Sequence, residues 1–371
     1  MLPPSLIALL SRVSRSFYFS VRVLPEAVAA QIGLSYLLAR AADTIADTDL
    51  LPSSVRLDLL TELDLACSGD PSAAARLDRL LQTALSDGAV QSLPSSERTL
   101  LQVLDECLAL LAQYSERDRV LMAKVLHQLI TGMQVDLRRF PAAGSVTSAD
   151  QVVSLRSLAE LDEYTYYAAG CVGEFWTEIC AAHIAGLSHL AAPALLARGV
   201  ALGKALQLTN VVRDLASDLR IGRCYVPAPL VAQHGLSTDE LFAQTTEPPS
   251  DWTKARALRH LTCDLLKLGL DRCDEAWPYV LAIPADQVRL RLACIWPLWL
   301  AVDTLALLGD VGSPLLTPDQ PVKVSRQSLY ALLAGTSTVT LFGRAVGSDR
   351  WLDSQFQQRR ARALRSLEVR S

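Results

Sequence analysis

"LLARAADTIADT", residues 37–48, is the stretch on which the reading of this chain turns. Leu, Ala and Arg favour helix, and neither Gly nor Pro interrupts them. The stretch lies inside the apolar segment 32–48, "IGLSYLLARAADTIADT", yet Asp43 and Asp47 stand four residues apart and share one helical face. Like charges at that spacing repel, and a buried carboxylate without a counter-charge is costly. Followed backwards, the same face carries Arg40 and Tyr36, so one polar stripe runs along a greasy helix. Taken alone, the stripe is better explained by an internal Arg40–Asp43 pair with Asp47 at a solvent edge, because charge stripes are common.

Residues 202–227, "LGKALQLTNVVRDLASDLRIGRCYVP", repeat the pattern. Gln207, Asn210, Asp214 and Asp218 fall at intervals of three, four and four on a second apolar helix, which again ends in paired carboxylates. Two such helices could face each other across a cavity, and the repulsion between their carboxylates would be offset by bound cations. Mg²⁺ suits the role, because it takes hard oxygen ligands and is usually held by one or two carboxylates together with substrate phosphates. The expectation is a helical cage in which Asp–Mg²⁺ bridges hold a diphosphate and help it leave.

A third segment, "LDEYTYYAAGCVGEFWTE" (161–178), sets Glu163, Tyr167, Gly170 and Glu174 on one face with Ala168, Ala169 and Gly173 close by. Small residues beside an aromatic read as room for a ligand chain, although a core tyrosine bonded to backbone is the simpler role for any one of them. "SRSFYFS" (14–20) offers Ser14, Arg15 and Ser16 as phosphate donors. Arg223, Lys323 and Arg326 are further candidates.

The whole chain bounds these readings. Its 371 residues are half apolar, enough for a large core. With 35 basic and 39 acidic residues there is no basic footprint for nucleic acid. The eight cysteines show no CxxC pair or zinc-ligand spacing, which suits reduced thiols in a cytoplasm. The N-terminus lacks the features of a signal peptide. The uncharged run 179–197, "ICAAHIAGLSHLAAPALLA", contains two His, a Gly and a Pro, and reads as helix–turn–helix in a core rather than a membrane span. A mean hydropathy of +0.24 hints at apolar cargo or membrane contact. The basic tail, 351–371, reads as a solvated terminal helix, with an amphipathic membrane-contacting helix (Leu352, Phe356, Ala363 and Leu367 on one side) as the alternative.

Helical periodicity dominates, so an all-α protein is expected. Breaks fall at 67–72, 85–96, 140–150, 245–251 and 309–321. Capping boxes begin helices at Ser148 with Gln151 and at Ser237 with Glu240. No break is long enough for an independent linker, so 1–371 reads as a single domain.

From residue 11 to 227 the ordered elements "SRSFYFS", "YLLARAADTIAD", "YTYYAAGCVG" and "QLTNVVRDLASDLRIGRCYVP" resemble the squalene and phytoene synthases, head-to-head prenyl transferases of the isoprenoid synthase fold. Their joint occurrence in this order is specific. The resemblance implies an all-α fold around a central cavity, Mg²⁺ held by two aspartate motifs, and two prenyl diphosphates as substrates. Asp43 and Asp47 match the first motif and Asp214 and Asp218 the second, with Asn210 and Arg213 in their family places. Tyr36, Arg40 and Arg223 match positions lining the diphosphate pocket, and Ser14, Arg15, Ser16 and Phe17 match the N-terminal element. Tyr167 matches the tyrosine proposed to move protons in the first half-reaction. Gln207 extends the substrate-binding face. Ser217 departs from the family, where Glu is frequent, but it is not one of the paired carboxylates.

Residues 289–309, "RLRLACIWPLWLAVDTLALLG", followed by "PVKVSRQS" (321–328), look like the squalene-type C-terminal half. By that resemblance Lys323 and Arg326 lie near diphosphate or the phosphates of NADPH. No GxGxxG follows a strand, so a nicotinamide cofactor would not sit in a Rossmann site. The resulting expectation is a bacterial-type squalene synthase, cytoplasmic or peripheral on the cytoplasmic face of the membrane. It would join two farnesyl diphosphates through presqualene diphosphate and reduce the product with NADPH. The alternatives are a phytoene, dehydrosqualene or presqualene diphosphate synthase without reduction, or a non-catalytic partner protein of the same fold.

Overall fold

Helix accounts for about four-fifths of the computed structural model, which describes every residue except 1, 15–17, 49, 87–92, 141–145, 247–248, 250, 317–318, 320–321, 343–347 and 369–371. In chain order the helices are α1 (Pro4–Val13), α2 (Tyr18–Val23), α3 (Glu26–Asp47), α4 (Ser53–Cys67), α5 (Pro71–Ser86), α6 (Ser95–Gln102), α7 (Leu104–Leu111), α8 (Glu116–Arg139), α9 (Leu158–Thr165), α10 (Cys171–His183), α11 (Pro193–Arg213), α12 (Leu215–Arg220), α13 (Ala228–Gln233), α14 (Thr238–Ala243), α15 (Trp252–Ala282), α16 (Val288–Val311), α17 (Arg326–Phe342) and α18 (Ser348–Glu368). Among the described residues the strands are β1 (Val153–Ser154) and β2 (Arg223–Cys224), which pair in parallel. Both expected capping boxes form, at Ser148 and Ser237. The uncharged run 179–197 is helix, turn and helix, as its Gly and Pro require.

The chain forms two compact units, Met1–Pro141 with Glu174–Ala192, and Ala142–Gly173 with Pro193–Ser371. In the first, α3 packs against α4, α6, α7 and α8. Leu34, Leu37, Leu38, Ala41, Ala42 and Ile45 are fully or almost fully buried, which leaves only a narrow open face. Arg56 of α4 is itself buried and donates to the Ala46 carbonyl at 2.8 Å. A cation thereby meets the negative end of α3 and fixes the turn that ends in Asp47.

In the second unit α11 packs against α15 and against a π-helical turn, Tyr166–Gly170, inserted between α9 and α10. Gly170 and Gly173 serve that packing. A Cβ on Gly173 would stand 1.9 Å from the Gly199 carbonyl oxygen, and one on Gly203 would stand 2.0 Å from that of Ala169. Only hydrogen at both positions lets the two backbones approach this closely.

The C-terminal helix also differs from expectation. Leu352, Phe356 and Ala363 are buried, because α18 lies along α16 and touches α15. Phe356 stacks on Trp277 at 4.5 Å, and the Trp277 indole donates to Asp353 at 2.8 Å. Arg359 pairs with Asp303 and Arg360 with Asp274 at 2.7 Å. The apolar stripe that a membrane would need is occupied by α16, and these arginines are neutralised internally. Helix α16 is long and apolar enough to cross a membrane by composition, with 78% of its apolar window buried in the protein.

Candidate active site

The first acidic pair sits at the C-terminal end of α3. Tyr36, Arg40 and Asp43 are part-exposed and Asp47 exposed in a helix otherwise buried around them, so the 4-3-4 stripe is the open face that the spacing requires. Arg40 bonds Asp43 with one guanidinium nitrogen and Glu97 of α6 with the other, the latter at 2.6 Å. Thr44 donates back to the Arg40 carbonyl at 2.9 Å. Arg40, Asp43, Thr44, Asp47, Thr48, Leu93 and Glu97 line a cavity of about 230 Å³.

Electrostatics mark the pair as cation-seeking. Burial, and next the charge of Asp47, push the Asp43 carboxyl up to about 6, against the opposing pull of Arg40. The internal Arg40–Asp43 pair is therefore real but leaves the repulsion between the two aspartates unrelieved. Among the described residues no group of three or more His, Cys, Asp or Glu side chains is disposed to hold a metal ion. Two carboxylates still suit Mg²⁺, which keeps several waters and takes its other ligands from substrate phosphate.

The second acidic pair lies where α11 passes into α12. Asp214 stands between them with φ −96° and ψ 7°, while Asp214 N to Asn210 O (2.8 Å) and Asp218 N to Asp214 O (2.9 Å) carry the hydrogen-bond ladder across the irregularity. Arg213 grips Asp214 with Nε at 2.8 Å and Nη2 at 2.5 Å. Both side chains remain over a third exposed. Two-point pairing of this kind is the geometry in which Arg also meets phosphate. Upstream on α11, Gln207 donates to the Tyr164 hydroxyl at 2.8 Å, Asn210 leans on Gln207 at 3.4 Å, and Tyr164 stacks on Tyr225 at 4.1 Å.

Tyr167 occupies the π turn, edge-on to Tyr166 at 5.6 Å. Single π turns inside helices recur at functional sites, because they re-aim a side chain at the expense of one ladder bond. Ser14 is buried and spends its hydroxyl proton on the Leu10 carbonyl at 2.6 Å, while the Tyr36 hydroxyl reaches the Val13 carbonyl at 3.4 Å. Arg15, Ser16 and Phe17 lie outside the described residues. Arg223 is part-exposed on β2, and Ser217 is exposed and donates to the Asp214 carbonyl. Glu174 pairs with Lys124 at 2.9 Å, and Glu163 is exposed. Lys323 and Arg326 are exposed at the start of α17, which Ser325 caps.

Sequence reasoning missed Glu97, the π turn, Tyr164, and a charged trio of Lys204, Asp162 and Arg272, with Lys204 to Asp162 at 2.7 Å and Arg272 to Asp162 at 2.9 Å. Apart from the π turn, which is local, these are long-range partnerships with no spacing signal in the chain.

The family model for squalene/phytoene synthase matches residues 10–328. The chain belongs to the squalene/phytoene synthase family. It is 28% identical over 283 residues to the bifunctional lycopene cyclase/phytoene synthase of Neurospora crassa, covering 74% of this chain and 42% of that protein. It is 25% identical over 306 residues to the squalene synthase of Eremothecium gossypii, covering 81% and 60%. This chain spans about half the length of the curated relatives it matches. The solved structure of TcSQS in complex with the ligand E5700 superposes with a TM-score of 0.65 over 99% of this chain and 98% of that one, at 19% identity. That likeness establishes the isoprenoid synthase type of fold.

Proposed function

We propose that this family member is a squalene-synthase-type prenyltransferase that joins two farnesyl diphosphates head to head through presqualene diphosphate. The observation that carries the reading is the presence, in stretches that resemble the family's two aspartate motifs, of two carboxylate pairs on open helix faces, each with an arginine already bonded to one carboxylate. Mg²⁺ held by Asp43 with Asp47 and by Asp214 with Asp218 would neutralise diphosphate and weaken its bond to the prenyl carbon. Arg40 and Arg213 exchange a carboxylate oxygen for a phosphate oxygen without leaving their place. Glu97 keeps Arg40 in position throughout that exchange. Tyr167, on its π turn, accepts the proton lost as the cyclopropane ring closes.

The reductive step with NADPH rests on the squalene-type pattern of residues 289–328. Lys323 and Arg326, both exposed, supply surface charge for its phosphates. Their exposure favours, as the second reading, an enzyme that ends at presqualene diphosphate or an unreduced polyene. Incubation of the pure protein with farnesyl diphosphate and Mg²⁺, with and without NADPH, separates the two. Squalene formed only with NADPH supports the first reading and a polyene or presqualene diphosphate without it the second. If no C30 product forms, neither stands.

A further inference from the structure

Helices α5 and α7 repeat one short pattern, a leucine, an aspartate and a second leucine three residues on: Leu77, Asp78 and Leu81 in the first, Leu104, Asp105 and Leu108 in the second. At helical spacing the two leucines share a face and the aspartate stands beside them. Both helices pack on α4, and these residues line a groove of about 400 Å³. Leu77, Leu81 and Leu104 are buried at its floor, Leu108 is half-buried, and Asp78 and Asp105 are exposed at its lips. Ala109 and Ala112, both exposed, keep one wall low. None of these residues belongs to either acidic pair.

Every charged residue in the lining is acidic: Asp70, Asp78 and Asp105. Asp70 is already paired with Arg76. Asp78 meets the Gln82 amide at 3.5 Å, and Asp105 has neither hydrogen bond nor ion pair among the described residues. Two carboxylates without a counter-charge over a leucine floor call for an occupant that is apolar along its middle and cationic at its margins. We propose that this groove docks a basic amphipathic helix of a partner protein. The inference does not depend on the prenyltransferase reading.

The dimensions suit a helix. From Ala74 to Gln82 and from Leu104 to Ala112 each wall rises about 12 Å, a little over two turns. A helix lying along two turns offers three apolar anchors, at i, i+3 or i+4, and i+7. The hole left by one deleted leucine side chain is about 150 Å³, so a groove of about 400 Å³ takes about two to three such anchors. Their burial holds the partner, while exposed ion pairs to Asp78 and Asp105 add little energy and select its sign of charge. The basic C-terminal helix α18 of a second copy is not available for this. Its Leu352 and Phe356 are buried on α16, and Arg359 and Arg360 are paired with Asp303 and Asp274.

Fluorescence anisotropy of the full chain with labelled synthetic peptides of about 16 residues, long enough to hold a helix, tests the assignment. The first peptide carries leucine at i, i+4 and i+7 with lysine on both sides of that stripe. The second has glutamate in place of lysine, and the third has alanine in place of leucine. The wild-type protein is expected to bind the first at least about tenfold more tightly than either other, the scale on which buried anchors and like-charge juxtaposition discriminate. Asp78→Lys combined with Asp105→Lys should abolish the preference for lysine over glutamate. Asp271→Lys combined with Asp286→Lys, at exposed aspartates away from the groove, should leave it unchanged. All four positions are exposed, so the variants keep their core. Equal binding of the three peptides by wild type, binding of none, or a preference that survives the Asp78 and Asp105 reversal overturns the inference. So does a dimer in sedimentation equilibrium that the same reversal dissolves, because the groove then belongs to a second copy.

Discussion

A divalent cation at the first acidic pair must compete with a proton, and the structure fixes where. Burial and Asp47 hold the Asp43 carboxyl at about 6, two pH units above its ordinary 3.8. At pH 5 about a tenth of the protein carries Asp43 as carboxylate and at pH 7 about nine-tenths, so the cation affinity that depends on this ligand rises about tenfold between them. Mn²⁺, titrated against the protein and followed by the loss of its free electron paramagnetic resonance signal, reads that affinity directly. Asp43→Asn should abolish the pH dependence and weaken binding at pH 7. In cation-free protein the sign is the reverse. The folded chain binds more protons here than the unfolded chain between about pH 4 and 6, so this group's contribution to stability falls as pH rises through that window and stays lost above it. Asp43→Asn should therefore melt no lower than wild type at pH 7. A Mn²⁺ affinity flat from pH 5 to 7, or equal in Asp43→Asn, would refute the reasoning.

Three further substitutions probe the framework. Gly173→Ala drives a methyl into the Gly199 carbonyl and should lower stability by at least about 1–3 kcal/mol in urea unfolding, because the contact is backbone on both sides and cannot swing away. Phe356→Ala removes the ring stacked on Trp277 and should cost about 3–5 kcal/mol by the same assay, a loss that a merely solvated tail helix would not show. Tyr164→Phe removes the hydroxyl that accepts from Gln207 and should cost about 1 kcal/mol, with a lower affinity for inorganic pyrophosphate in Mg²⁺ as the paired readout.

What the sequence made legible was whatever depends on phase within one helix. The stripe Tyr36–Arg40–Asp43–Asp47 could be placed because 3.6-residue periodicity alone assigns its face, and the capping boxes at Ser148 and Ser237 because their partners lie three residues away. The Arg40–Asp43 pair was legible for the same reason, as an i,i+3 contact. What escaped was set by distant segments. The close packing of Gly170 and Gly173 on α11, where Gly199 and Gly203 lie, was one such feature. The tail read as solvated because its own composition is polar, whereas its few apolar residues meet a wide buried face of α16 and its arginines meet Asp274 and Asp303. Glu97 and the Lys204–Asp162–Arg272 cluster join elements 42 to 110 residues apart in sequence, beyond any local signal.

The central claim is that both aspartate pairs serve release of diphosphate from a prenyl substrate. The most direct measurement is the rate of diphosphate released from farnesyl diphosphate in Mg²⁺ by wild type, Asp43→Asn and Asp214→Asn, each checked for wild-type melting. The expected result is steady Mg²⁺-dependent release by wild type, cut about 100-fold or more in each variant, as for loss of a charge-stabilising group at a reacting centre. Release that needs no Mg²⁺, or that survives either substitution, would contradict it.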